Sequence, residues 1–309
     1  MERIILHSDL NNFYASVECL YNPEIRNKPV AVCGDVEARH GIVLAKNYIA
    51  KKYGIATGEA IWQAKQKCSN LIVVPPNYKR YLQFSQLARD IYSDYTDQIE
   101  PFGLDECWLD ITGSTNLFGS GKKVADEIRD RIKFEMGITA SVGVSYNKIF
   151  AKLGSDIKKP DATTEITKDN FKEVVWKLPV KELLYVGRST HNKLNRYGIK
   201  TIGDLAKTDV KYLEYWLGKW GYMLWVFANG LDVSPVANIG AKSLIKSIGN
   251  STTTPRDLVN DEDVKITTYV LSESVAERLR QHNFMCRTVQ IYVRDNELNS
   301  FERQGKLEI

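Results

Sequence analysis

Two adjacent acids, Asp105 and Glu106, interrupt apolar flanks in Gly103-Leu104-Asp105-Glu106-Cys107-Trp108-Leu109-Asp110. A carboxylate taken out of water is costly unless a cation or hydrogen bonds compensate it. Such a pair must therefore lie at a polar turn or at a site that holds cations. The alternating run Cys107 to Ile111 predicts a hairpin arm around an acidic turn. In an extended backbone the two acids would point to opposite faces. In a tight turn both can reach one ion. A third acid, Asp9, follows the apolar run Glu2 to His7, which reads as a buried strand. Its expected place is the carboxyl end of a sheet, where α/β proteins put their sites. Three carboxylates from distant positions are a common holder for two Mg²⁺ ions about 4 Å apart. Taken alone, Asp105 and Glu106 could equally make a plain polar turn, and Asp110 reads as a cap or turn residue.

Two basic runs lie elsewhere in the chain. In Lys46-Asn47-Tyr48-Ile49-Ala50-Lys51-Lys52, Tyr48 and Lys51 are three apart and share a helical face. Both can touch phosphate oxygens, although a solvated basic helix has the same pattern. The second run holds Lys148, Lys152, Lys158 and Lys159, and Pro160 ends its helix with Lys159 at the tip. A lysine there can also be a simple partner of the helix dipole. From residue 145 to 232 there are 15 Lys and Arg against 10 Asp and Glu, while the whole chain carries only +4. That distribution permits a nucleic-acid partner without requiring one.

The rest of the pattern bounds the class. At 43% hydrophobic and 26% charged, 309 residues suit a globular protein of two or more domains. No apolar run reaches the roughly 18 to 20 residues of a membrane span, and the charged N-terminus does not read as a signal peptide. Five scattered cysteines without C-x-x-C spacing suggest neither zinc nor a disulfide framework, so a reducing, cytoplasmic setting is expected. Helices are predicted over 12–20, 48–53, 61–67, 81–96 and 122–134, and strands over 28–33, 42–45 and 138–144. Pro75-Pro76 marks a boundary. The region 166–235 is predicted helical. A β-α-β pattern follows over 243–251, 261–281 and 288–294.

Five segments then stand in a telling order: S-D-L-N-N-F-Y-A-S-V-E (8–18), L-A-K-N-Y-I-A-K (44–51), G-L-D-E-C-W-L-D (103–110), G-V-S-Y-N-K-I-F-A-K (143–152) and K-S-I-G (246–249). Together they resemble the Y-family, or translesion, DNA polymerases over essentially the whole chain. The resemblance implies an α+β right hand. A ferredoxin-like palm would span 1–10 and 75–165, small fingers 11–74, a helical thumb 166–235, a linker 236–242, and a partial β-α-β little finger 243–309. It implies low-fidelity, template-directed addition of deoxynucleotides to a primer 3′ end, without proofreading. It also implies two Mg²⁺ ions on Asp9, Asp105 and Glu106, with Leu10 adding a backbone carbonyl. Asp105 and Glu106 would be catalytic. Tyr14 would be a steric gate against a ribose 2′-hydroxyl, supported by Phe13. Tyr48, Lys51 and Lys159 would hold the triphosphate, and a small roof over the nascent base pair would fall near Ile42 and Leu44. Lys148, Lys152, Gly187 and Ser189 would meet primer-template DNA.

This chain also departs from the family pattern. Lys51 replaces a usual arginine, giving a point charge without a bidentate fork. Asn11 stands where an acid is common, which argues against its binding metal. Val186-Gly187-Arg188-Ser189-Thr190 resembles a helix-hairpin-helix with Ser189 in place of a second glycine. The chain stops at Lys306-Leu307-Glu308-Ile309, short of the further strands and second helix implied for the last domain, so a shortened chain is expected. No C-terminal Q-x-x-L-F-like peptide for a sliding clamp is present, and clamp binding is left open. Two other readings remain: a non-catalytic DNA-binding relative, and a nucleotide cyclase, whose palm shares the acidic hairpin.

Overall fold

A computed structural model describes residues 2–35, 41–241 and 244–307. Strand β1 (Ile5–Leu10) is buried at all of its positions because both its faces are covered. Helix α1 (Phe13–Tyr21) follows, then β2 (Val30–Cys33), β3 (Val43–Lys46), α2 (Tyr48–Lys52), α3 (Ile61–Lys67) and β4 (Ile72–Val74). Strands β3, β2 and β4 form a small sheet in that order, with β2 antiparallel to β3 and parallel to β4. Its core of Ala31, Val43, Ile61 and Leu71 is separate from that of the main sheet.

Next come α4 (Tyr78–Ser93), β5 (Ile99–Pro101), β6 (Glu106–Asp110), α5 (Thr115–Phe118), α6 (Gly121–Met136), β7 (Ala140–Ser145), α7 (Lys148–Ile157) and β8 (Thr163–Ile166). The main sheet has the order β5-β6-β1-β7-β8. Helix α4 begins at Tyr78 rather than at the expected 81, because the Asn77 side chain accepts from the Arg80 N–H at 3.2 Å and caps it.

The two faces of the sheet have different partners. Leu6 and Leu10 pack with Tyr81 and Phe84 of α4 and Ile128 and Ile132 of α6. Ile5 packs with Trp108 and with Ala151 of α7. Residues of a strand alternate between faces, so His7 and Asp9 share Ile5's face, under α7. Asp9 is the penultimate residue of β1, at the carboxyl end where it was expected. It is paired with Glu106 of β6 on one side and Ser141 of β7 on the other. Gly143 lets α7 come this close: a Cβ there would lie 1.8 Å from the Ala151 carbonyl oxygen.

Helix α7 also turns Ile149, Phe150 and Leu153 into a second core. That core is built by α8 (Phe171–Val174), α9 (Arg188–Arg196), α10 (Ile202–Lys207), α11 (Val210–Leu217) and α12 (Lys219–Ala228). The C-terminal part holds α13 (Asp261–Gln281) and the antiparallel pair β9 (Thr288–Arg294) and β10 (Ser300–Lys306). The strand expected over 243–251 is not formed among the described residues 244–251, and Ser243 lies outside them. Side-chain bonds to α13 hold the segment instead: Arg278 donates to the Gly249 carbonyl at 2.7 Å, and Asn250 donates to Ser274 at 2.9 Å. Among the described residues no helix is long and apolar enough to cross a membrane.

Candidate active site

Asp9 and Glu106, partners across β1 and β6, each hold a lysine. Lys159 Nζ donates to Asp9 Oδ2 at 2.6 Å, and Lys152 Nζ donates to Glu106 Oε2 at 2.6 Å. Asp156 binds Lys159 at 2.7 Å and thus joins the cluster. Asp105 occupies the bend before β6, and its backbone carbonyl accepts from the Leu10 N–H at 2.9 Å. This ties the acidic bend to β1, while the Leu10 side chain enters the core.

Burial pushes the Asp9 carboxyl up to about 6, although Lys159 opposes it. Burial and the neighbouring Glu106 also raise Asp105. Burial disfavours the charge of Glu106 too, but the His7 ring and Lys152 outweigh it and hold the acid down to about 2. Burial likewise opposes the charge on Lys159, and Asp9 and Asp156 outweigh it, so its ammonium is held above the usual lysine range. Asp9 and Glu106 thus stand side by side on one face of the sheet, each with a lysine as its counter-ion, and Asp105 lies in the bend that leads into β6. Among the described residues, no three acidic, histidine or cysteine side chains are already drawn into a metal cage. The donor chemistry nevertheless suits a hard divalent cation, since all the anionic donors are carboxylate oxygens. Two of them already bind cations end-on.

His7 is the residue that the sequence concealed. It is fully buried, with Nδ1 2.8 Å from Ser155 Oγ of α7. Its Nε2 lies 3.2 Å from Glu106 Oε2 without the alignment of a hydrogen bond. Burial depresses the ring to about 4, so it is neutral at neutral pH. A histidine in an apolar strand carries no local signal; the pairing of β1 with β6 makes it a neighbour of Glu106, and the docking of α7 gives it Ser155.

Of the residues expected to meet the nucleotide, Tyr14 lies near Asp105 and Tyr48 near Asp9 and Lys159. The Tyr14 ring stacks on Tyr81 at 4.1 Å and 9°, and Phe13 lies 5.6 Å from it in the core. Burial raises the Tyr14 hydroxyl, and Asp105 adds to the effect. Burial also raises the Tyr48 hydroxyl, with Lys159 opposing and Asp9 reinforcing. Lys51 lies over the Tyr48 ring at 5.6 Å. The expected roof residues are partly open: Ile42 is exposed and Leu44 half-buried in β3.

Lys148 and Lys152, the residues expected to meet DNA, both lie on α7 and both hold carboxylates. Lys148 donates to Glu100 at 2.6 Å and lies 4.6 Å from the Trp108 ring centre, and Lys152 serves Glu106. Both sit on the face of α7 that docks on the sheet, so their charge is spent on carboxylates. Asp110 is the turn residue expected, accepting from the Thr112 N–H at 3.0 Å. In the hairpin before α9, Gly187 is the N-cap with φ −75° and Ser189 already lies in the first turn. The residue in glycine-like geometry is instead Tyr185, at φ 71°. Its ring lies 5.6 Å from that of Trp220.

Comparison with known proteins agrees with this architecture. Residues 8–156 match the impB/mucB/samB family, 245–309 match that family's C-terminal domain, and 181–232 match the DNA polymerase-iota thumb domain. The DNA polymerase IV of Acetivibrio thermocellus is 64% identical over 309 residues, covering 100% of this chain and 77% of that protein. The DNA polymerase IV of Clostridium acetobutylicum is 39% identical, covering 99% and 78%. A solved Y-family DNA polymerase chimera of Dbh and Dpo4 superposes with a TM-score of 0.86 at 28% identity, covering 99% of this chain and 88% of that one. A Dbh ternary complex does so with a TM-score of 0.73 at 27% identity and the same coverage. The fold and these relatives make the chain a DNA-directed DNA polymerase. The chain belongs to the Y-family, the low-fidelity, translesion class of these enzymes.

Proposed function

We propose that this chain extends a primer 3′ end on a DNA template with deoxynucleoside triphosphates, using two Mg²⁺ ions held by Asp9, Asp105 and Glu106. The observation that carries this reading is the pairing of Asp9 with Glu106 on one buried sheet face, each acid compensated by a lysine at 2.6 Å. Bound divalent cations would supply Lewis acidity at the attacking hydroxyl and neutralise charge on the triphosphate. Leu10 would lend its backbone carbonyl to one of them.

The chain's own groups do the orienting. Lys159, Tyr48 and Lys51 would grip the triphosphate, with Lys159 exchanging its carboxylate partner for phosphate oxygens. Tyr14, stacked on Tyr81, would lie under the sugar and clash with a 2′-hydroxyl. We assign palm, fingers, thumb and little finger to 1–10 with 75–165, 11–74, 166–235 and 243–309. Gly187 and Ser189 would bring backbone N–H groups to a DNA phosphate. A cyclase would have no use for this helical hairpin.

The test is primer extension by Asp105→Asn and Glu106→Gln. Both should lose on the order of a thousandfold in rate, the several kcal/mol that bound metal contributes, while primer-template affinity is retained. Extension at the wild-type rate would remove these residues from the site.

A further inference from the structure

Lys159 is placed by a network that the reading above does not use. Two residues beyond it, Asp161 sits in the left-handed region at φ 51°, unfavourable for a residue with a side chain. Three side chains hold it there. From α6, Arg129 Nη2 donates to both the Asp161 carbonyl (2.8 Å) and Oδ1 (2.7 Å). Lys133 Nζ, one turn further on, donates to Oδ2 at 2.9 Å. From the end of β1, Asn11 Oδ1 accepts from the Asp161 N–H at 2.9 Å. Asn11 is itself buried and fixed, donating to Ser141 at 3.0 Å and accepting from Thr139 at 3.0 Å.

Asn11 lies two residues after Asp9, so its bond to Asp161 ties the loop to the strand bearing the carboxylate. Between Asp161 and Lys159 stands only Pro160, whose ring fixes φ. The position of the Lys159 backbone relative to Asp9 is therefore set by this clamp. Burial opposes ionisation of Asp161, and Lys133 and Arg129 outweigh it, so its carboxyl is held below the usual range and the clamp is ionic at neutral pH.

We infer that Asp161, gripped by Arg129, Lys133 and Asn11, is a positioning residue for nucleotide binding, holding Lys159 where it meets the triphosphate. This rests on the proposed role of Lys159. Without the clamp the loop would swing, and Lys159 would pay entropy to reach the phosphates. Affinity for the incoming nucleotide should then fall more than the rate of the bound complex.

The experiment measures single-nucleotide insertion, nucleotide affinity on a dideoxy-terminated primer-template, and thermal stability. The variants are Asp161→Ala, Lys133→Ala and Lys159→Ala, with each clamp variant also combined with Lys159→Ala. Asp161→Ala should raise KM for nucleotide about tenfold with a much smaller change in kcat, and weaken affinity in parallel. Lys133→Ala removes a half-exposed side chain, so folding is retained and a smaller rise of about threefold is expected. In the Lys159→Ala background both effects should vanish, because the clamp acts through that lysine. Additive effects in that background, or unchanged KM in both clamp variants, would overturn the inference while leaving the polymerase reading intact. If Lys159→Ala itself leaves KM unchanged, its triphosphate role and the clamp fall together, whereas primer extension by the wild type still tests the enzyme.

Discussion

At the residue scale, the acids were legible because a charge in an apolar run is an anomaly that needs a use. Asp9, Asp105 and Glu106 drew attention on those grounds, the resemblance gave them a role that a plain polar turn would not have, and folding joins Asp9 to Glu106 as strand partners. Tyr14 was legible only through the family resemblance, since one aromatic among 16 tyrosines and 10 phenylalanines carries no signal of its own. Its stacking on Tyr81 gives it a rigid seat. Tyr14→Ala should therefore open the sugar pocket and lower discrimination against ribonucleotides by at least about tenfold, a loss of roughly 1.4 kcal/mol. Competing deoxy- and ribonucleotide insertion measures this, and unchanged sugar selectivity would remove Tyr14 as the gate. His7 and Asn11 were hidden for the opposite reason. Their polar groups matter only toward partners more than a hundred positions away in Ser155 and Asp161.

At the scale of elements, periodicity located the longer helices and strands of the first 145 residues, because alternation and helical spacing are local properties, and it missed the short β4, β5 and α5. It erred where a side chain overrides the pattern, as Asn77 does at the start of α4. It could not see that α7 meets β7 backbone to backbone at Gly143. A methyl group there must push α7 away from the sheet, so Gly143→Ala should destabilise the protein by about 1 to 3 kcal/mol, the usual cost of overpacking. Denaturant unfolding would register the loss. Tyr185 makes a second case. Its φ of 71° strains any side chain, while its ring packs near Trp220 and Phe227. Alanine keeps the strain and loses the ring; glycine loses the ring but releases the strain. Tyr185→Gly should therefore be more stable than Tyr185→Ala by about 1 kcal/mol, the reverse of the order found in ordinary backbone. A Gly variant less stable than Ala would show that the turn has no such preference.

On the scale of the whole molecule, the polymerase body and the C-terminal part differ in kind. The main sheet and the helical region each have a buried core, whereas α13 has no buried residue and β9 and β10 are exposed throughout. A two-stranded pair without a core is marginal in water. In hydrogen exchange, amides of β9 and β10 should exchange at least about a hundredfold faster than those of β1 and β7; equal protection would mean that the pair is covered in solution. The sequence by itself determined the chemistry available and the rhythm of the elements, since acids in apolar flanks and periodic burial are written over a few neighbouring residues. Only the tertiary structure decided which cation answers which acid. Lys159 finds Asp9 across 150 positions and Lys152 finds Glu106 across 46. Such ion pairs depend on ångström-scale distances that exist only once α7 has settled on the sheet.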